Sequence, residues 1–316
     1  MINFRFHVVS LIAIFLALAL GVVIGAGVID RGVVDALDSR LNKVEGRSND
    51  LEAENGVLTG RNNELEGFAT DVQPFAVSGR LLGDDVGVVA IRGVDGDRVS
   101  AVVTAAQQAD ATATGTLWLE DKWALPDDDS VKELQDALGT TTKNKAALRA
   151  EGLEQLAQRL ATVDARVAGE QDLLTVLEQA GFLGYDSVDD STITDFPGRA
   201  AGIVLVVGNG GAVDPALVTL PAAKALHEVK VPTVVASVWT EVTDGPDRAD
   251  AVQPIRADDL ATSVSTVDDL DLVEGPTTVV LALSDLFLTP PVVGHYGYGP
   301  DVARLPDPTP TESVTS

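Results

Sequence analysis

Few side chains in this 316-residue chain are equipped for chemistry. Cysteine is absent and methionine occurs once, at Met1, which removes disulfides, thiolate metal sites and cysteine nucleophiles together. Of the three histidines, His7 adjoins an apolar run and His227 falls near the end of an expected helix, where a cation is favoured. His295, inside the glycine-rich GHYGYG, is the candidate metal ligand, and the competing reading of that segment is a turn packed by tyrosine. A Ser-His-Asp triad needs no sequence adjacency, but no G-x-S-x-G elbow supports one. No catalytic residue is assigned, and the chain is expected not to be an enzyme.

Two further patterns are compatible with ligand chemistry. Residues 208–211, Gly-Asn-Gly-Gly, stand between an expected strand and helix and could cradle an anion on backbone N–H groups. They lack the G-x-G-x-x-G spacing and a Walker lysine, so a plain tight turn is the better reading. Acid pairs recur at Asp84-Asp85, Asp189-Asp190, Asp258-Asp259 and Asp268-Asp269. Carboxylate oxygens suit hard cations, yet in a chain this acidic, solvated loops account for most of them. With 48 acids against 22 bases the formal charge is −26, a balance that repels nucleic acid, so no nucleic-acid partner is expected.

The element that must place everything else is residues 8–29, VVSLIAIFLALALGVVIGAGVI, an uncharged run of helix-spanning length. It reads as a transmembrane anchor occupying residues 1–30, and it exceeds the usual h-region of a signal peptide. Ala17 and Ala19 form a small-x-small site, so cleavage is the alternative. Arg5 precedes the run and Asp30 follows it, which predicts a single pass with the N-terminus cytoplasmic and the remainder exported.

A heptad repeat begins directly after it. With Val34, Leu41, Ser48, Asn55 and Asn62 at a, the d positions are Leu37, Val44, Leu51, Leu58 and Leu65. In a parallel pair each g residue meets the e residue of the next heptad on the partner. Arg40 with Glu45, Arg47 with Glu52 and Arg61 with Glu66 are attractive, Glu54 with Thr59 is neutral, and no like-charge pair arises. Residues 31–68 are therefore expected to form a parallel dimeric coiled coil, with Leu37, Leu41, Val44, Leu51, Asn55, Leu58, Asn62 and Leu65 in its seam. Gly67 and Pro74 are expected to end it.

Beyond Pro74 the period changes. VGVVAI at residues 86–91, a helix that Asp97 could cap, and an extended stretch at 116–119 make a β-α-β unit. A helical insertion follows at about residues 130–181, with Ser130 as the expected cap of its first helix and apolar positions at Leu148, Leu153, Leu156, Leu160 and Val163. GIVLVV at 202–207, a helix from Pro215 to Glu228, residues 231–238 and TTVVLAL at 277–283 continue the strand and helix pattern. The fold class is thus α/β: an open, mostly parallel sheet with helices on both faces across residues 75–305. Residues 306–316, rich in Pro, Thr and Ser, are expected to be disordered.

Taken together, HVVSLIAIFLALALGVVIGAG, the leucine-repeat stalk, the block VSTVDDLDLVEGPTTVVLALSDL at residues 264–286 and the GHYGYG after it resemble the actinobacterial copper transporter MctB family. The resemblance implies copper homeostasis and efflux across the cell envelope, copper as the transported ion, and an outer-membrane setting. The alternative function, read from the stalk and the acidic body rather than from the resemblance, is a non-enzymatic envelope scaffold or sensor that is dimerised by the coiled coil and recruits envelope protein partners. Cu(I) prefers thiolate and thioether, and Cu(II) takes imidazole and oxygen. That chemistry leaves His295 and His227 as the only exported nitrogen donors, and no high-affinity copper site is expected within one subunit.

Overall fold

The computed structural model describes residues 4–28, 30–162, 171–240 and 247–307. They fall into two compact units, residues 1–66 and 67–316. In the first, α1 (Phe4–Val28) is an all-round apolar helix, and its stretch Phe4–Gly25 is long enough to cross a bilayer. It is the only such helix among the described residues. The second helix, α2 (Asp30–Val77), does not stop where the sequence suggests: it runs through Gly67 and Pro74 to Val77. One proline removes a single backbone donor and can be carried inside a long helix, so the expected break is not made.

The second unit is built on a seven-stranded sheet: β1 (Val86–Ile91), β2 (Gly115–Leu119), β3 (Leu183–Ser187), β4 (Gly202–Gly208), β5 (Thr233–Val238), β6 (Ser265–Val267) and β7 (His295–Tyr296). Their order is β3-β2-β1-β4-β5-β6-β7, all parallel except β3, which pairs antiparallel with β2 at one edge. β1, β2, β4 and β5 are buried along their whole length, as continuous apolar β-branched runs require.

Helices cover both faces. α3 (Gly96–Gln108) lies beside α9 (Gly275–Leu286), and α5 (Lys145–Ala161) lies beside α7 (Pro215–Glu228). Between β2 and β3 come α4 (Asp128–Leu138), α5 and α6 (Leu173–Gln179), while the short α8 (Gln253–Arg256) precedes β6. Leu148, Leu153, Leu156 and Leu160 of α5 are buried, and Val163 lies outside the described residues. So do residues 308–316 of the expected tail.

Three local expectations are corrected. TTVVLAL at 277–283 is not a strand but the centre of α9, which buries Val279, Val280, Ala282, Leu283 and Leu286. A seven-residue apolar run fits a buried helix as well as a strand, and Pro276 in the first turn is a helix-start signal. Asp95, not Asp97, caps α3, accepting from the Asp97 N–H at 3.0 Å. Asp127, not Ser130, caps α4, with Ser130 as its reciprocal partner three residues on.

Candidate functional site

The densest polar cluster stands at the carboxyl end of β6, the edge of an open parallel sheet where ligands usually bind. β6 runs into Asp268-Asp269, and this acid pair is fully buried rather than a solvated loop. Sequence reasoning missed it because a doublet of aspartates looks the same whether a turn or a core receives it.

Asp268 is completely paired. Arg256 from α8 donates through Nη1 at 2.8 Å, and the Tyr298 and Gly299 backbone N–H groups donate to Oδ1 at 2.7 and 3.2 Å. Arg256 is itself held by Thr266 Oγ1 at 2.8 Å and by the Tyr296 carbonyl at 3.3 Å. GHYGYG therefore acts as a strap: His295 and Tyr296 add β7 to β6, and the glycines let the backbone close around the carboxylate. Gly297 has φ +124°, and a Cβ at Gly299 would lie 2.7 Å from Asp268 Oδ2 and 3.0 Å from Arg256. The segment expected as a turn packed by tyrosine is a two-residue strand followed by a bend that closes on a carboxylate.

His295, the candidate metal ligand, is part of the same scaffold. Its Nδ1 meets Thr266 Oγ1 at 2.9 Å. Arg256 donates to the same Thr266 oxygen, leaving its hydroxyl proton available to Nδ1. Burial first, and the neighbouring Arg256 charge second, hold the imidazole below its ordinary pKa. Nδ1 is thus engaged, and the ring lies beside a guanidinium. His7 and His227 are exposed on α1 and α7. Among the described residues no group of three or more His, Asp or Glu is placed to hold a metal ion.

Asp269 is the anomaly. Both its oxygens are buried without a hydrogen-bond partner, and burial, then Glu274 and Asp268, push its pKa up to about 7. Around it, Arg248 pairs with Asp271 and lies 4.8 Å from the Trp239 ring centroid. Tyr298 donates to Glu274 at 2.7 Å and carries Arg304 3.3 Å from its ring centroid.

A crevice of about 360 Å³ opens beyond the ends of β4 and β5, lined by Asn209, Asp214, Trp239, Asp247, Arg248 and Asp250 among others. The Gly-Asn-Gly-Gly loop forms part of its wall as a turn, with Gly211 N–H donating to the Gly208 carbonyl at 3.3 Å. Asn209 is used up locally, donating to the Thr240 carbonyl at 2.7 Å and accepting from its N–H at 2.8 Å. The start of α7 already carries a carboxylate, Asp214, which accepts from Ala216 N–H at 2.9 Å. An anion would meet these acids, so the loop does not act as a phosphate cradle.

The residues expected to form a dimer seam, Leu37, Leu41, Val44, Leu51, Leu58 and Leu65, are exposed along α2, as are Asn55 and Asn62.

Comparison with known proteins gives a consistent result. The family model described as "Copper transport outer membrane protein, MctB" matches residues 1–306. The "Copper transporter MctB" of Mycobacterium tuberculosis (strain ATCC 25618 / H37Rv) is 27% identical over 314 residues, covering 95% of this chain and 97% of that protein. The protein of the same name from Mycobacterium leprae (strain TN) is 32% identical over 319 residues, with coverage of 95% and 97%.

Proposed function

The chain belongs to the family described as copper transport outer membrane protein MctB, and from that membership we propose that it is an anchored cell-envelope protein of copper homeostasis with copper as its cargo. The observation that carries this reading is the extent of the match, residues 1–306, which takes in the apolar helix, the rod and the α/β body together. In this reading α1 stays in a bilayer with its N-terminus cytoplasmic, and two copies of α2 associate in parallel through the Leu37 to Leu65 seam. The body then stands in the exported compartment; the family's description names the outer membrane, and that setting is the alternative to a cytoplasmic N-terminus.

The body's role is indirect. Copper needs soft sulfur donors or clustered imidazoles, and among the described residues the body has no sulfur and no group of three or more His, Asp or Glu placed to hold a metal ion. Copper would accordingly be handled by the assembled protein or by envelope partners that the body recruits. That same observation favours a second reading, a scaffold or sensor that carries no copper. Deleting the gene separates them: copper tolerance falls if the proposal holds, whereas unchanged tolerance together with co-purifying envelope proteins supports the scaffold.

A further inference from the structure

Because α2 continues to Val77, its last turns present a surface that the heptad reading ended too early. Within residues 67–77 one side of the helix is committed to the chain's own body. Gln73 donates to Gln108 at 2.8 Å and meets Thr277 at 3.4 Å, Val77 is fully buried, and Ala69 and Ala76 are partly covered. The other side carries Phe68, Val72 and Phe75, which are 68%, 39% and 85% exposed. Spacings of four and three put these residues on one stripe. Two phenylalanines and a valine so open to water, on one helix face, mark an interaction surface rather than scattered apolar residues.

We infer that the stripe Phe68–Val72–Phe75 docks against the same stripe of a second copy of this chain, extending the parallel stalk contact into the body's own helix. The inference rests on the dimeric stalk proposed above. Register supports a second copy as the occupant: the d column Leu37, Val44, Leu51, Leu58 and Leu65 recurs every seven residues, and its next member is Val72. Chemistry supports it too. The g positions that carry Arg40, Arg47, Glu54 and Arg61 in the stalk carry Phe68 and Phe75 here, so charged flanks give way to apolar ones. The a positions at this level, Ala69 and Ala76, already face the body, so the contact cannot keep the usual a/d pairing. Leu65 to Phe68 is accordingly a step of three after the step of three from Asn62, so the apolar pattern moves from a and d to d and g. A two-fold axis then brings each phenylalanine onto its own counterpart's stripe.

The absence of cysteine makes the test clean. Single substitutions Leu58→Cys in the stalk, Val72→Cys in the stripe and Asp136→Cys on an exposed turn of α4 are made in the full-length chain and treated in membranes with a short bis-maleimide. Leu58→Cys and Val72→Cys should give a band of twice the chain mass, and Asp136→Cys should not. Adding Phe68→Ser with Phe75→Ser should cut the Val72→Cys product by about fivefold or more and leave the Leu58→Cys product within about twofold, since aromatic anchors dominate such contacts. If Leu58→Cys links but Val72→Cys does not, the seam ends with the stalk and the inference is overturned while the dimer stands. If Val72→Cys links to a protein of another mass, the occupant is a different partner and the inference is likewise overturned. If neither links, the parallel stalk itself fails and the inference falls with it.

Discussion

Replacing Asp269 with asparagine should change how stability depends on pH. The carboxyl is fully buried with no hydrogen bond, and its pKa is pushed up to about 7 by burial and by Glu274 and Asp268. In the unfolded chain it titrates near 3.8. Between these values the unfolded chain has lost a proton that the folded chain keeps, so stability is greatest below about pH 4 and falls as pH rises to about 7. At ~1.4 kcal/mol per pH unit the whole effect is at most about 4 kcal/mol, and between pH 5 and pH 8 it is roughly 2 to 3 kcal/mol. A side-chain amide cannot titrate, so Asp269→Asn should gain that much on the wild type across the interval. The diffuse repulsion of a chain with net charge −26 acts on both proteins and cancels in the difference. Urea unfolding of the full chain in mild detergent suits the purpose, because all three tryptophans, Trp118, Trp123 and Trp239, lie in the body and report its unfolding alone. Parallel pH profiles for the two proteins would refute the reasoning and show Asp269 already ionised in the fold.

The other predictions concern the strap, the histidine and the stalk. Arg256→Ala should destabilise the body by about 3 to 5 kcal/mol, because it leaves the Asp268 carboxylate buried with its charge uncompensated; denaturant melts measure this. Gly299→Ala should cost about 1 to 3 kcal/mol in the same assay, since the new methyl meets both Asp268 and Arg256. His295→Ala should leave calorimetric titrations of the full chain with Cu(I) and Cu(II) unchanged, because its Nδ1 is engaged by Thr266 and its ring is half-buried beside the Arg256 charge; binding lost in that variant would make His295 a ligand after all. Asn55→Ile with Asn62→Ile should strengthen self-association and loosen the preference for two strands, read by analytical ultracentrifugation in detergent.

The parts of this fold that could be read from sequence are those with one available explanation. GIVLVV and VGVVAI are too short for helices and too apolar for anything but central strands, and they became β4 and β1. Asp214-Pro215 opens α7 with a cap and a first-turn proline, and that helix begins where those residues put it. TTVVLAL has two explanations, and only packing between α3 and the sheet decides for a helix. β3 was missed because an edge strand of sequence LGYDS carries little apolar signal, its pairing with β2 being supplied by the backbone. Gly67 and Pro74 break helices by propensity, yet contacts of Gln73 and Val77 with the body hold α2 together beyond them.

The candidate site was legible only in outline. The DD and GHYGYG blocks were prominent enough to carry the family resemblance, and the structure shows that they are two halves of one lock. Their joining through Arg256 crosses from α8 to β6 and β7, a distance in sequence that no local pattern encodes. His295 drew attention as a donor because of its type. Only the positions of Thr266 and Arg256 show that its Nδ1 serves the fold.

The most direct test of the account is total cell copper, measured by mass spectrometry in three strains grown with added copper: a deletion of this gene, the deletion carrying the full chain, and the deletion carrying a secreted form that lacks residues 1–29. An anchored protein of copper homeostasis predicts copper accumulation in the first strain, restoration in the second and continued accumulation in the third. Equal copper in the deletion and its parent would contradict the copper role, and restoration by the secreted form would contradict the anchor.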